Sequence, residues 1–318
     1  MFLNGGGQVA EQPHIVVVGS TMIDMIAYSK KIPSAGETVI GEAFSLGFGG
    51  KGANQAVMAR RLGARVSMVN TLGDDTFGDT TMKNFEEEGI NTQYIERVAG
   101  TSGVAPIWVE PDGTNRIICV PGANNAMTSD QAKVAVESLN ASHRISVVIG
   151  QLEIPQEVTI AAFRAARLLG ATTILNPAPF APISAELIAV SDWIIPNEHE
   201  FAGMHPEKKS PESDAVIADL ARTLQCRLLV TLGEAGAAFT DLSGTIARVP
   251  AVKVKAIDTT GAGDAFVGAF AVGLALGLGD LNAITLGSLC ASDSVTRLGT
   301  QSSYPSQLRA AELLGQIN

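Results

Sequence analysis

The sequence predicts an α/β protein: a doubly wound, mostly parallel sheet with helices on both faces, plus a small β-sheet projecting from it as a lid. Three observations carry that prediction. Short apolar runs rich in Val and Ile alternate with helix-length amphipathic stretches, the rhythm of parallel strands joined by helical crossovers. Two stretches interrupt the rhythm with extended character and no helix of their own. The chain has 318 residues, 46% of them hydrophobic, enough for one large domain with an appendage.

Residues 1–13 open without the basic start and apolar stretch of a secretory signal, and read as a disordered tail ahead of a domain spanning 14–318. IVVVG (15–19), RVSMVN (65–70), SVVIG (146–150), TTILN (172–176), WIIP (193–196) and RLLVTLG (227–233) read as buried strands. Helical periodicity fills 52–63, 76–88, 129–140, 155–169 and 212–224. The stretches 37–48 and 102–121 read as antiparallel lid strands, the second folding at a Pro-Asp-Gly turn. Ligands on such sheets gather at the carboxyl ends of the strands, so the residues just after these apolar runs are the ones to inspect.

Composition narrows the classes of function. A net charge of −10 argues against a nucleic-acid binder, which would present a basic face. A local nest of backbone N–H groups can still hold a small anion in an acidic protein. No apolar run approaches the ~18 residues that span a bilayer, so no membrane association is expected. Cys119, Cys226 and Cys290 lie far apart without metal-ligand spacing, as in a reduced, cytoplasmic enzyme with buried thiols.

The most informative segment is VKAIDTTGAGDAFVGAFAVGLALGLG (254–279), read as a strand, a small-residue turn and a long apolar helix. Gly261, Ala262 and Gly263 leave room for backbone N–H groups to face a ligand where that helix begins. A helix N-terminus offers unpaired donors and about half a positive charge, suited to a phosphoryl group in transfer. Asp264, in the first turn, can accept a proton from an attacking hydroxyl. The plainer reading is a helix start after a glycine turn, with Asp264 facing the dipole.

GFGGKGANQA (47–56) satisfies the spacing of a dinucleotide fingerprint, but its glycines begin well beyond the first strand instead of directly after it. Lys51 is followed by Gly52 and not by Ser or Thr, so it is not a Walker A loop either. With GGKGANQ (49–55) and DTTGAGD (258–264) in one chain, the sequence resembles the ribokinase-like carbohydrate kinases over roughly residues 14–315.

That resemblance implies an ATP-dependent kinase that phosphorylates the terminal hydroxyl of a pentose. Asp264 would be the catalytic base, and Gly261, Ala262 and Gly263 the anion hole. GSTMID (19–24) would place Asp24 on two adjacent sugar hydroxyls; Gly50, Lys51, Asn54 and Glu153 would complete the sugar site. In PNEHE (196–200), Asn197 would lie near the nucleotide phosphates and Glu200 would order the water shell of Mg²⁺. TLGEAG (231–236) would approach the nucleotide through Thr231, Gly233 and Gly236. Asp258 and Thr260, with Ser294, Arg297, Gly299 and Ser303 of the segment 294–306, would form a K⁺ loop. Met22 departs from the family pattern, which often has Asn two positions before the sugar-binding Asp. The Met variant resembles the deoxyribokinases, so D-ribose and 2-deoxy-D-ribose both stay open. A nucleoside, ketose or sugar-phosphate kinase, or a non-catalytic sugar-binding protein of this fold, are further alternatives. The family likeness also implies a homodimer through the lid sheet, whose apolar face would carry Ile40, Phe44, Ile107 and Trp108.

Overall fold

The structure, a computed structural model, describes residues 12–112, 114–241 and 243–317. Most of the expected tail, residues 1–11, therefore lies outside the described residues, as does Gly113 of the lid turn. At the start of the described residues the carbonyl of Pro13 accepts the N–H of Arg65 (2.9 Å).

The chain opens with β1 (His14–Val18), β2 (Met22–Tyr28), β3 (Ala43–Gly49), α1 (Lys51–Arg61), β4 (Arg65–Gly73), α2 (Thr76–Glu88) and β5 (Asn91–Val98). Next come β6 (Val104–Val109), β7 (Asn115–Ile117), α3 (Ser129–Ser142), β8 (Val147–Gly150), α4 (Gln156–Leu168) and β9 (Thr172–Leu175). The short α5 (Ala185–Ala189), β10 (Trp193–Ile194), α6 (Glu198–Met204), α7 (Asp214–Leu224) and β11 (Arg227–Thr231) follow. The chain ends with β12 (Ala237–Thr240), β13 (Ile246–Val249), α8 (Ala262–Ala275), α9 (Asp280–Ser294) and α10 (Gln307–Gly315).

Nine strands form the main sheet in the order β13-β12-β11-β10-β9-β8-β1-β4-β5. It is parallel from β11 to β5, and β12 and β13 add an antiparallel edge. Both faces are covered, as the continuous apolar runs require. Along β1, Ile15 and Val17 join a core with α1, α8 and α9, while Val16 and Val18 join a second core with α3 and α4. The order reverses between β1 and β8, the switch point at which such sheets bind ligands.

The lid is a separate four-stranded sheet, β3-β2-β6-β7. Its make-up differs from expectation. One of its two inner strands is β2, hidden because only Gly19–Thr21 separates it from β1, and it pairs parallel with the other, β6. Only 43–49 of the first expected lid stretch is a strand, and residues 37–42 are irregular. No strand precedes Gly261, because residues 250–256 carry no regular structure. The strands β5, β12 and β13 were not apparent from pattern. Ile107 is buried, at 9% exposure, on the inner lid face with Met22 and Ala105. It alternates with half-buried Trp108 on the opposite face, so the two do not share one exposed surface. The exposed apolar lid residues are Ile40, Phe44, Leu46, Ile117, Ile118 and Val120. Of the cysteines only Cys290 is buried; Cys226 is intermediate and Cys119, on the lid, is exposed. Among the described residues no helix is long and apolar enough to cross a membrane.

Candidate active site

At the switch point the chain leaves β1 through Ser20 and β8 through Glu153, and α1 begins between them. The Ser20 hydroxyl and the backbone N–H of Lys51 (2.9 Å) both donate to Glu153 Oε2. The Ser20 carbonyl accepts from Ala53 N (2.9 Å), so the first turn of α1 is pinned at this edge. Gly50 is obligatory here. Its φ is +86°, and a Cβ would stand 2.6 Å from the Thr21 Cα. Asp24 reaches in from the lid. It lies opposite Gly47 on β3, and its carboxylate occupies the space that a Cβ on Gly49 would need, 2.3 Å from Oδ1. The space beside Gly49 thus belongs to Asp24.

Burial, helped by the charges of Glu153 and Asp264, pushes the Asp24 carboxyl up to about 7. Burial also raises Glu153 and Glu200 against the opposing pull of Lys51. Burial alone would lower the Lys51 ammonium, but Asp264, Glu153 and Glu200 together raise it. These charges act on one another across a single cleft.

On the far wall α8 packs tightly on α1. A Cβ at Gly268 would lie 2.6 Å from the carbonyl oxygen of Gln55, so glycine permits the approach that sets Asp264 against Asn54 and Gln55. Asp264 is buried, and its Oδ2 accepts from Asn54 Nδ2 and its Oδ1 from Gln55 Nε2, both at 2.9 Å. Gly261 starts the helix with φ +75°, its carbonyl held by the Tyr304 hydroxyl at 2.9 Å. No side chain caps α8. The Ala262 N–H turns back to the Thr259 carbonyl (3.3 Å), and among the described residues the N–H groups of Gly263 and Asp264 have no partner. Gly263 is exposed, with open space where a Cβ would stand. Among the described residues the N–H of Gly261 also has no partner, so of the three expected donors at this helix start only that of Ala262 is engaged.

Residues 12–307 match the pfkB family of carbohydrate kinases. The chain belongs to that family. It is 40% identical over 298 residues to a deoxyribokinase of Salmonella typhi, covering 92% of this chain and 95% of that protein. It is 38% identical over 302 residues to a ribokinase of Bacillus subtilis, covering 95% and 99%. Its fold superposes on the ribokinase of Arabidopsis thaliana, whose structure holds ribose and ATP, with a TM-score of 0.86 at 28% identity over 95% and 99% of the chains. The protein is an ATP-dependent carbohydrate kinase with the ribokinase-like fold.

In this pfkB kinase the nucleotide-side candidates lie at or just after the carboxyl ends of β10 and β11. Asn197 and Thr231 are joined by a parallel bridge. Gly233, exposed with φ +52°, has open space before it, whereas Gly236 is buried against the 249–251 backbone and serves the β11–β12 turn. Asn197 caps α6 in a reciprocal box: its Oδ1 accepts from Glu200 N, and both Glu200 oxygens accept from Asn197. Among the described residues no cluster of His, Cys, Asp and Glu could alone hold a metal. Mg²⁺ usually keeps several waters and phosphate ligands, so such a site would not show as a protein cage.

Asp258 draws the expected cation loop together. Its Oδ1 accepts from Thr260 N and Oγ, and its Oδ2 accepts from Gly299 N (2.9 Å). Burial alone would raise this carboxyl, but those hydrogen bonds hold it below its ordinary value and keep it anionic. The Ser294 carbonyl accepts Arg297 N at 3.2 Å, and the Ser303 carbonyl accepts two N–H groups of the Arg297 guanidinium. The Ser303 hydroxyl in turn donates to the Thr300 carbonyl (2.8 Å).

Several residues escaped sequence reasoning: Ser20 behind Glu153, Tyr304 behind Gly261, and the amides of Gln55, Gln151 and Gln301. One signal was available for Gln55. It stands beside Asn54 in a helix whose other buried residues are Gly, Ala, Val and Met, and a buried amide there needs partners.

Proposed function

We propose that this kinase transfers the γ-phosphoryl group of ATP to the 5-hydroxyl of D-ribose, with Asp264 as the base. The observation that carries this reading is that Asn54 and Gln55 donate to a buried Asp264 at the start of a helix with unpaired N–H groups, with Asp24, Lys51 and Glu153 near enough to act on one another's charge. Asp24, Gly50, Lys51, Asn54 and Glu153 hold the sugar between the sheet and the lid. Asp264 takes the proton of the terminal hydroxyl, whose oxygen attacks the γ-phosphorus in line, and the Gly263 and Asp264 N–H groups receive the developing charge. ATP lies along Asn197, Thr231 and Gly233. Mg²⁺, held by phosphates and water with Glu200 behind its water shell, would neutralise phosphate charge. K⁺ near Asp258 would fix the loop that carries Gly261. Exposed Phe44 and Leu46, on one face of the lid sheet, suit a homodimer through it, and the substrates fit a cytoplasmic enzyme.

A second reading, 2-deoxy-D-ribose, has an observation of its own. Met22 and Asp24 are two apart on β2 and share the inner lid face. Met22 is buried against Ala105 and Ile107, with its sulfur 3.9 Å from Asn124 Nδ2. A thioether beside Asp24 leaves a ribose 2-hydroxyl without a partner, worth about ten- to a hundred-fold in preference. ATP-dependent ADP formation with the two sugars, in Mg²⁺ and K⁺, decides between them. Met22→Asn is expected to shift the kcat/KM ratio towards ribose by about tenfold; an unchanged ratio would show that residue 22 does not read this hydroxyl.

The Asp24 carboxyl gives a pH dependence with a definite sign. Ionised, it accepts from two hydroxyls; protonated, it loses part of that capacity. With its proton leaving at about 7 in the free enzyme, kcat/KM for the sugar should rise with pH and level off above 8. At pH 6 it should stand about tenfold below the plateau. A flat profile between pH 6 and 8 would remove Asp24 from hydroxyl binding.

A further inference from the structure

We propose that Gln301 is a positioning residue for Asp264, acting through Asn54 by fixing which end of that amide faces the carboxylate; this rests on Asp264 being the base. The observation is a chain of side-chain amides that all point the same way. Asn84 Nδ2 donates to Gln301 Oε1 (3.1 Å), Gln301 Nε2 to Asn54 Oδ1 (3.1 Å), and Asn54 Nδ2 to Asp264 Oδ2 (2.9 Å). A second chain reaches the other oxygen. Gln151 Nε2 donates to Gln55 Oε1 (2.7 Å), and Gln55 Nε2 to Asp264 Oδ1 (2.9 Å).

The two ends of an amide are nearly equal in size, so packing does not choose between them. The hydrogen-bond partners at its two ends do, here the Asp264 carboxylate on one side and the Gln301 amino group on the other. Asn54 is buried, and with its carbonyl turned to Asp264 it would set lone pairs against a carboxylate. Gln301 prevents this by presenting a donor to Asn54 Oδ1. It is itself buried at 5% exposure, on a short turn tied to α1 through Arg61 Nη1 and the Gln301 carbonyl (2.8 Å). The amino group of Asn54 has a second N–H, which this orientation leaves for a sugar hydroxyl. Gln301, far away in sequence, thereby sets the donor on the base and the donor beside it together.

The decisive variant is Gln301→Glu, which keeps the shape and the acceptor for Asn84 but replaces the donor facing Asn54 with an acceptor. Asn54 then faces an acceptor at each end, its carbonyl must oppose one of them, and its amino group is no longer held on Asp264 alone. We expect kcat to fall about tenfold or more, with the ATP Kd within about twofold of the parent. Gln301→Met removes the donor without reversing polarity and should cost kcat less, about three- to tenfold. Asp264→Asn is measured beside them. Loss of turnover in Asp264→Asn with kcat unchanged in Gln301→Glu overturns the positioning role alone. Turnover that survives in Asp264→Asn overturns the base and the role of Gln301 with it. A Met variant as impaired as the Glu variant overturns the polarity argument in favour of packing. Should Gln301→Glu not fold, a folded Gln301→Met with the parent kcat overturns the proposal, and one with reduced kcat at an unchanged ATP Kd supports it.

Discussion

Asp264→Asn is expected to lower kcat by about a hundred- to ten-thousand-fold while the ATP Kd stays within a few-fold of the parent. The base accepts a proton only as the sugar oxygen attacks, so its removal acts on the transition state and hardly on nucleotide binding. The substitution is not silent for the fold. Both carboxylate oxygens accept from amide N–H groups, of Asn54 and Gln55, and an amide at 264 would point its own NH₂ at one of them. Either that neighbour rotates or one donor stays unpaired, at a cost of about 1–3 kcal/mol. A modest drop in Tm with intact ATP binding, measured by calorimetry, is the expected signature. Turnover within tenfold of the parent would take Asp264 out of the chemistry.

What the sequence disclosed and what it concealed follow from distance along the chain. The start of α8 was legible because turn, donors and acid are neighbours from 258 to 264. The parallel sheet was legible because strands covered on both faces are written as unbroken Val and Ile runs. The lid was read less well. A strand only a few residues beyond β1 looks like the tail of a turn, and the alternation of Ile107 and Trp108 became visible only once β6 was paired with β2. The site's supports were the least legible. Ser20 meets Glu153, Tyr304 meets Gly261 and Gln301 meets Asn54 only through the fold. No local spacing records those encounters. Asp24 was read from its motif, but not the reason for Gly49 on the neighbouring strand, which is the room that carboxylate takes.

Lys51→Met carries the other large expected effect, because the cleft is short of positive charge. Asp24, Glu153, Glu200 and Asp264 all act on one another or on Lys51, and the Lys51 ammonium opposes the rise that burial imposes on Glu153 and Glu200. Without it, kcat/KM for the sugar should fall about a thousandfold, from the lost hydroxyl contact together with displaced carboxylates. Stability supplies an independent readout. Glu153 and Glu200 would then hold their protons to still higher pH in the folded state than in the unfolded chain. A carboxyl raised in this way contributes stability that is complete below the unfolded value, about 4.3, and is lost as pH climbs through the folded one. The Tm deficit of Lys51→Met should therefore be small near pH 5 and widen by several degrees towards pH 8. Lys51→Arg, which keeps the charge but not the compact ammonium, should close most of that gap while recovering little activity. A deficit that does not change with pH would mean that Lys51 binds the sugar without balancing the carboxylates around it.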